Sequence, residues 1–353
     1  MFDIALVYGD GYSQLLSSSA KALLSAVAKS HGFSLLFHEI NVGSFLGKRE
    51  SEIVSCGEFK AIKSSDATIY TAGFNELSGF DNDNFVVSLL CKNLGLYGNF
   101  KEIKSFSCSI NNSVIKNIDK AKAVDFLIVH DSTLKNNFKK GYENGSAGRE
   151  AYDLISLPEM YAERIARVAY ELAEGRKKKL VSADFADLFN TEFLRRKITH
   201  EINEDYPFVN LSSMTLGEVT HGLLVAPSAF DVIVANEVSA GALFEMGASI
   251  VGGYGNSCEG YLGDSATGLY KPARVAPFSV KNPHGVNPVG TLLAVSKLLK
   301  YSLDKRDASQ AVEDAVTAVI DLGYVTPDMK NGNDNLKNVL SAEEFTNEVI
   351  SRL

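Results

Sequence analysis

Cysteine is scarce in this sequence, and the motifs built on it are missing. The four cysteines are Cys56, Cys91, Cys108 and Cys258. None belongs to a C-x-x-C pair, and none has a histidine at the spacing of a metal site. These absences argue against a disulfide-stapled or zinc-finger protein, and we predict free thiols in a reducing compartment.

Long apolar runs and a basic surface are also lacking. No apolar run is long enough to cross a bilayer. The formal net charge is −8, and the lysines at 177–179 accompany no nucleic-acid-binding motif. The opening MFDIALVYGDG begins directly with a strand pattern. We therefore expect no membrane or nucleic-acid partner, and a cytoplasmic location, or the mitochondrial matrix if a transit peptide has been removed.

What the sequence does contain is a regular alternation of short apolar strands and amphipathic helices. "FDIALVY", "DATIYTAG", "AVDFLIVH" and "FDVIVAN" are typical of strands, and "PEMYAERIARVAYELAEGR" is typical of a helix. Such alternation favours an α/β fold. Because 353 residues exceed the usual single core, two lobes are expected. The polar stretch 131–148 is an insertion, either a loop or a protruding arm.

Six motifs, in order along the chain, resemble the isocitrate/isopropylmalate dehydrogenase family. They are "IALVYGDG", "LCKNLGLYGNF", "VDFLIVHDST", "ERIARVAYELAEGRKKKLVSADFADLF", "FDVIVANEVSAGALFEMGAS" and "GLYKP". The resemblance implies two α/β lobes on a shared mixed sheet with a cleft between them, distinct from a Rossmann fold. It also implies NAD or NADP, a Mg²⁺ or Mn²⁺ ion, and oxidation of a 2-hydroxy acid followed by β-decarboxylation.

The same resemblance implies a division of the chain and an assembly. Residues 1–100 with 254–353 would form the large, cofactor-type lobe, and 101–253 the small lobe. The small lobe would carry a clasp arm at about 131–156 and the subunit interface. We expect the partner to be a second copy, a catalytic paralogue, or both, bound through the small lobe.

The metal-binding positions that the resemblance implies have lost most of their carboxylates. A hard cation needs several oxygen ligands. The three family aspartates fall on Gly217, Gly241 and Glu245. Glu218 and Glu237 lie nearby in sequence, so a displaced metal site and ordinary solvated or capping glutamates both stay open.

The positions that the resemblance implies for proton transfer have also lost the family's residues. The family lysine that acts as a base falls on Phe185, and its neighbouring asparagine on Asp187. The family tyrosine that donates a proton falls on Asn137. Loss of a positioned acid or base costs roughly 10²–10⁴-fold in rate.

The implied substrate and cofactor positions are altered as well. Arginine suits carboxylates best, and the three substrate arginines fall on Cys91, Lys101 and His130; no arginine stands between Arg49 and Arg149. Four further positions correspond to the family's cofactor loop, namely Lys271, Arg274, Ser279 and Asn287. Lys271, Arg274, Lys281 and His284 form a basic cluster, either a solvated loop or a site for a phosphate or an acidic partner.

These changes predict a catalytically degenerate family member, not an enzyme, that serves as a structural or regulatory subunit and takes no cofactor. Two alternatives stay open. One is an active NAD(P)- and Mg²⁺- or Mn²⁺-dependent oxidoreductase on an altered 2-hydroxy acid. The other is a nucleotide-binding sensor.

Overall fold

The computed structural model describes residues 1–9, 11–45, 47–72, 83–107, 113–115, 124–134, 139–273, 286–329 and 338–353. Within these ranges helices alternate with strands, and ten strands form the main sheet. The predicted α/β class with a large mixed sheet is confirmed. No helix in the described ranges is both long and apolar enough to cross a membrane.

The elements are numbered in chain order over the described residues. The strands are β1 (Phe2–Tyr8), β2 (Leu35–Asn41), β3 (Ala67–Tyr70), β4 (Leu96–Lys104), β5 (Asp125–Asp131), β6 (Lys139–Gly145), β7 (Gly148–Leu154), β8 (Lys179–Asp184), β9 (Asn210–Thr215), β10 (Val232–Val234), β11 (Cys258–Gly263), β12 (Gly268–Pro272), β13 (Tyr324–Val325) and β14 (Asn338–Val339). The α-helices are α1 (Tyr12–Ser30), α2 (Glu50–Ser55), α3 (Gly57–Ser64), α4 (Asp83–Leu94), α5 (Glu159–Glu174), α6 (Asn190–Ile202), α7 (Leu216–Val225), α8 (Glu237–Ile250), α9 (Val289–Tyr301), α10 (Arg306–Asp321) and α11 (Ala342–Ile350).

The main sheet has the strand order β2-β1-β3-β12-β11-β4-β5-β10-β8-β9. β11 and β12 pair antiparallel, whereas β1 pairs parallel with β2 and β3, and β10 with β5 and β8. The middle of β1, Ile4 to Val7, is fully buried. Continuous apolar runs of this kind are typical of parallel strands that are covered on both faces.

The chain divides into two compact units. The first contains Met1–Leu96, Lys101–Val124 and Gly247–Leu353, and the second contains Tyr97–Phe100 and Asp125–Met246. A buried core within the first unit joins β1 to α4, with members such as Val7, Phe45 and Leu90. The lobe boundaries and the clasp arm expected from the sequence stay predictions.

Turn residues end several helices where the sequence places them. α4 ends at Leu94, and Gly95 follows with φ 70°, a backbone angle that favours glycine. α5 begins after Pro158 and ends before Gly175, as predicted. The polar insertion holds an antiparallel hairpin, β6 with β7, whose Tyr142 is 84% exposed.

Candidate functional site

A buried triad of charges lies on three strands of the first unit. Glu259 of β11 is 3% exposed, and Lys271 stands directly opposite it on β12. The Lys271 Nζ donates to Glu259 Oε1 at 2.6 Å, and the Lys101 Nζ of β4 donates to Glu259 Oε2 at 2.6 Å. One carboxylate therefore holds two ammonium groups, each through its own oxygen. The sequence analysis named Lys101 as an altered substrate position and Lys271 as an altered cofactor position, and it did not name Glu259.

The charge state of Glu259 follows from this arrangement. Burial alone would raise its pKa, but the ammonium groups of Lys101 and Lys271 lower the pKa to about 2. Glu259 is thus ionised throughout the ordinary pH range. Short hydrogen bonds between ionised partners are among the strong ones, so the triad is a fixed and not a fluctuating arrangement.

A second group of buried charges joins β4 to two helices. Side chains alternate between the two faces of a strand, so Glu102 points away from the side that Lys101 occupies. The Lys297 Nζ of α9 lies 2.6 Å from Glu102 Oε1 and 2.7 Å from Glu313 Oε1 of α10. Lys104 reaches the other oxygen of Glu313 at 2.9 Å. This group, called here the inner ion network (Glu102, Lys104, Lys297 and Glu313), ties β4 to two helices.

The inner ion network is charged despite its burial. Burial alone would lower the pKa of Lys297 and of Lys104, but the carboxylates of Glu102 and Glu313 raise both values. Burial would likewise raise the pKa of Glu313, and the two lysines hold it well below its usual range. Two carboxylates face two ammonium groups, so the network is electrically balanced and its chemistry is structural.

The end of β5, in the second unit, carries His130 and Asp131, and Arg164 of α5 contacts it. His130 is 5% exposed inside β5. The next residue, Asp131, accepts a hydrogen bond from Arg164 Nε at 2.8 Å and one from the backbone N–H of Thr133 at 2.8 Å. The Arg164 guanidinium also lies over the rings of Tyr97 and Tyr161, 4.3 and 3.9 Å from their centroids. These contacts fix the chain where β5 ends.

Of the predicted proton-transfer positions in the described part of the chain, Phe185 has no ionisable group and Asp187 has an exposed one. Phe185 follows β8 and packs edge-on against Phe189, with ring centroids 6.3 Å apart. The side chain of Asp187 is 80% exposed and only 3.9 Å from Arg196. The buried carboxylate of this turn is Asp184, which accepts from Arg196 Nε at 2.9 Å. Asn137 lies outside the described residues.

The predicted metal positions do not fit a metal ion. Gly217 is in the first turn of α7, and Gly241 and Glu245 are one turn apart on α8. Glu218 caps α7, because it accepts from the backbone N–H of Thr215 at 2.7 Å. These hydrogen bonds lower the pKa of Glu218. Across the described ranges no three His, Cys, Asp or Glu side chains are grouped to hold a metal.

Two of the four predicted cofactor positions, Lys271 and Asn287, fall inside the described residues. Lys271 belongs to the triad. Asn287 donates to Asn256 Oδ1 and Asp328 Oδ2, both at 3.1 Å, and accepts from the backbone N–H of Val289, the first residue of α9, at 2.9 Å. Arg274 and Ser279 lie outside the described residues, as do Lys281 and His284. No residue contact to a nicotinamide cofactor is therefore assigned.

Comparisons with known proteins agree on one family. The model of the isocitrate/isopropylmalate dehydrogenase family matches residues 3–349. A 3-isopropylmalate dehydrogenase of Dehalococcoides mccartyi is 29% identical over 351 residues, 95% of this chain and 95% of that protein. One of Campylobacter jejuni is 27% identical, over 98% of this chain and 95% of its own length.

Solved structures give the same fold. The isocitrate dehydrogenase of Methylococcus capsulatus matches with a TM-score of 0.77 at 20% identity, covering 100% of this chain and 99% of that one. A beta-decarboxylating dehydrogenase of Thermococcus kodakarensis matches with a TM-score of 0.78 at 21% identity, covering 100% and 96%. At these identities the likeness establishes the fold alone.

The family match overturns two expectations from the sequence. We expected a catalytically degenerate protein that is not an enzyme, and we expected no cofactor. Both are wrong, because the family is one of dehydrogenases and the similar proteins carry dehydrogenase names. The expectation came from comparing single positions such as Phe185 and Gly217 with family motifs. That comparison does not detect groups such as Lys101, Glu259 and Lys271, which come together only in the fold.

Proposed function

Because the chain belongs to the isocitrate/isopropylmalate dehydrogenase family over residues 3–349, we propose that it is an NAD(P)-dependent oxidoreductase. Its substrate is a small 2-hydroxy acid with at least one further carboxylate, altered from those of the named relatives. The relatives that are called 3-isopropylmalate dehydrogenases support the reaction class. Cys91, Lys101 and His130 stand where the resemblance implies arginines that bind substrate, and these changes support a different substrate.

The observation that carries the proposal is the triad of Lys101, Glu259 and Lys271. Lys101 stands at one of the three positions where the family resemblance implies a substrate-binding arginine. Its Nζ is oriented by a short bond to Glu259, and its side chain is 18% exposed. An ammonium group that is oriented and still partly open is suited to receive a carboxylate.

The roles of the residues follow from their chemistry. Lys101 binds and orients a carboxylate of the substrate, and Glu259 keeps the lysine in place. Asp131, through Arg164, fixes the chain beside His130. A bound NAD(P) would supply the hydride acceptor. The family's metal positions, Gly217, Gly241 and Glu245, offer a single carboxylate and so do not fit a metal ion.

The test is a search for activity across substrates. The purified chain is incubated with NAD⁺ or NADP⁺ and 3-isopropylmalate, isocitrate, malate or tartrate, in Mg²⁺, in Mn²⁺, or in EDTA. We expect formation of reduced cofactor with at least one acid. We expect Lys101→Met to abolish most of that activity, while Lys92→Met, which breaks an exposed pair with Glu50, leaves it unchanged. No reduced cofactor under any condition would refute the proposal.

Assembly and location are further proposals. We propose self-association through the second unit, because the β6–β7 hairpin has little apolar surface of its own to hold it. We also propose a cytoplasmic location. Cys56, Cys91 and Cys258 form no disulfide, as expected for a reducing compartment.

A further inference from the structure

A serine and a histidine of the second unit form a close pair outside the charged groups described above. Ser213 lies on β9, and His200 lies in the last turn of α6. The His200 Nε2 and the Ser213 Oγ are 2.7 Å apart, and both side chains are exposed. When Nδ1 carries the proton of the neutral imidazole, Nε2 accepts a hydrogen bond from the hydroxyl. This is the contact through which a base activates a nucleophilic serine.

The strand that carries Ser213 also supplies a backbone donor beside the hydroxyl. In the described part of the chain β9 is the last strand of the main sheet and pairs with β8. Asn210 of β9 donates its N–H to the carbonyl of Lys178, just before β8. Because backbone groups alternate in direction along a strand, Ser212 also faces β8, whereas Ser213 turns its N–H toward the open edge. The N–H of a nucleophilic serine can stabilise the oxyanion that forms in acyl transfer.

Two neighbouring serines show what is particular to Ser213. Ser182 is its partner in register on β8, but it is fully buried, so a reagent in solution does not reach it. Ser212 is exposed, but its side chain points to the opposite face of the sheet from Ser213 and His200. Of these three serines, Ser213 is the one that combines an exposed hydroxyl with a histidine in contact.

We propose that Ser213, activated by His200, is a nucleophile that accepts acyl groups from activated esters, a reactivity separate from the proposed oxidoreductase. The Ser213 Oγ bonds to the acyl carbon, and the bond between that carbon and the leaving oxygen breaks. The leaving oxygen departs with the electron pair of that bond. The hydroxyl proton passes to His200 Nε2 and from there to the leaving oxygen. The products are an O-acylated Ser213 and a free alcohol.

The experiment treats the full chain with p-nitrophenyl acetate. Release of nitrophenol is followed by absorbance, and peptide mapping by mass spectrometry locates the acetyl groups. We expect faster acetylation of Ser213 than of Ser212. His200→Gln keeps a polar side chain but removes the base, so it should slow acetylation of Ser213 about a hundredfold, the lower end of the range for a positioned base.

Matched variants separate the pair from the rest of the surface. Ser213→Ala should abolish the part of the nitrophenol release that depends on His200. Ser212→Ala, on the other face of β9, should react like the unmutated chain. Acetylation of exposed lysines should be equal in all variants and gives an internal reference, and thermal unfolding checks that each variant is folded.

The outcomes decide the proposal with or without the variants. Equal acetylation of Ser212 and Ser213 in the unmutated chain, or none at Ser213, would overturn it. An unchanged rate at Ser213 in folded His200→Gln would overturn it as well. The comparison of the two serines needs no substitution, so it holds even if a variant does not fold. None of these measurements involves NAD(P) or a 2-hydroxy acid, so the proposed oxidoreductase stands or fails separately.

Discussion

Lys297→Met tests how strongly the inner ion network stabilises the first unit. Lys297 is 4% exposed and bonds to Glu102 and Glu313 at 2.6 and 2.7 Å. Removing one partner of a buried ion pair costs about 3–5 kcal/mol. Because Glu313 keeps Lys104, we expect a loss near the lower end, about 3 kcal/mol. This is a large part of an ordinary domain's stability, roughly 5–15 kcal/mol.

The assay is urea unfolding at neutral pH, followed by circular dichroism. Lys92→Met is the matched control, since its pair with Glu50 is exposed and should cost less than about 1 kcal/mol. The double variant Lys297→Met/Glu102→Met should recover much of the loss, because no buried charge is left unpaired. A single variant within about 1 kcal/mol of the unmutated chain, or a double variant weaker than the single, would refute this reasoning.

Three further predictions concern other features. Gly241→Ala should stabilise α8 by up to about 1 kcal/mol, since among the described residues nothing beyond its chain neighbours and helix backbone lies within 4 Å of the new Cβ. Gly222→Ala on α7 should instead destabilise the protein, since its Cβ would lie 2.8 Å from the Phe230 ring; thermal unfolding of the two variants tests both expectations. The Glu259 carboxylate, with its pKa lowered from 4.5 to about 2, contributes stability that is present above pH 4.5 and lost as the pH falls through about 2, so unfolding of Glu259→Gln should depend less on pH there. Replacing the β6–β7 hairpin with a short Gly-Ser linker should lower the sedimentation coefficient of the chain by splitting an oligomer, and an unmutated chain that is already monomeric at micromolar concentration would contradict self-association.

Much of the fold was predictable because its signals are local. The apolar run in β1 predicts a buried strand, and Pro158 and Gly175 mark both ends of α5. The arrangement Thr215-x-x-Glu218 is a capping signature, and the structure confirms that Glu218 caps a helix. The sequence did not decide whether the polar stretch 131–148 is a loop or a protruding arm, because polar residues without apolar alternation do not specify a strand pairing.

The candidate site was predictable only in part because its members are distant in sequence. Lys101 and Glu259 are 158 positions apart, and Glu259 and Lys271 are 12 apart. One signal was available: two short strands, "CEGYLG" and "GLYKP", each carry a single charge among apolar residues. A lone charge in a buried strand requires a partner. That partner can be identified only when the order of the strands in the sheet is known.

Successive side chains of β4 point to opposite faces of the sheet, and this affects the register in which β4 pairs with its neighbours. Lys101 belongs to the triad and Glu102 to the inner ion network, on opposite faces of one strand. A slip by one position in one direction would place Lys101 where Glu102 lies, beside the Lys297 ammonium, and a slip in the other direction would place Glu102 where Lys101 lies, beside the Glu259 carboxylate. Each misplaced group would meet its own sign of charge in a buried place. The two groups of charges thus disfavour a sheet in which β4 is displaced by one position in either direction.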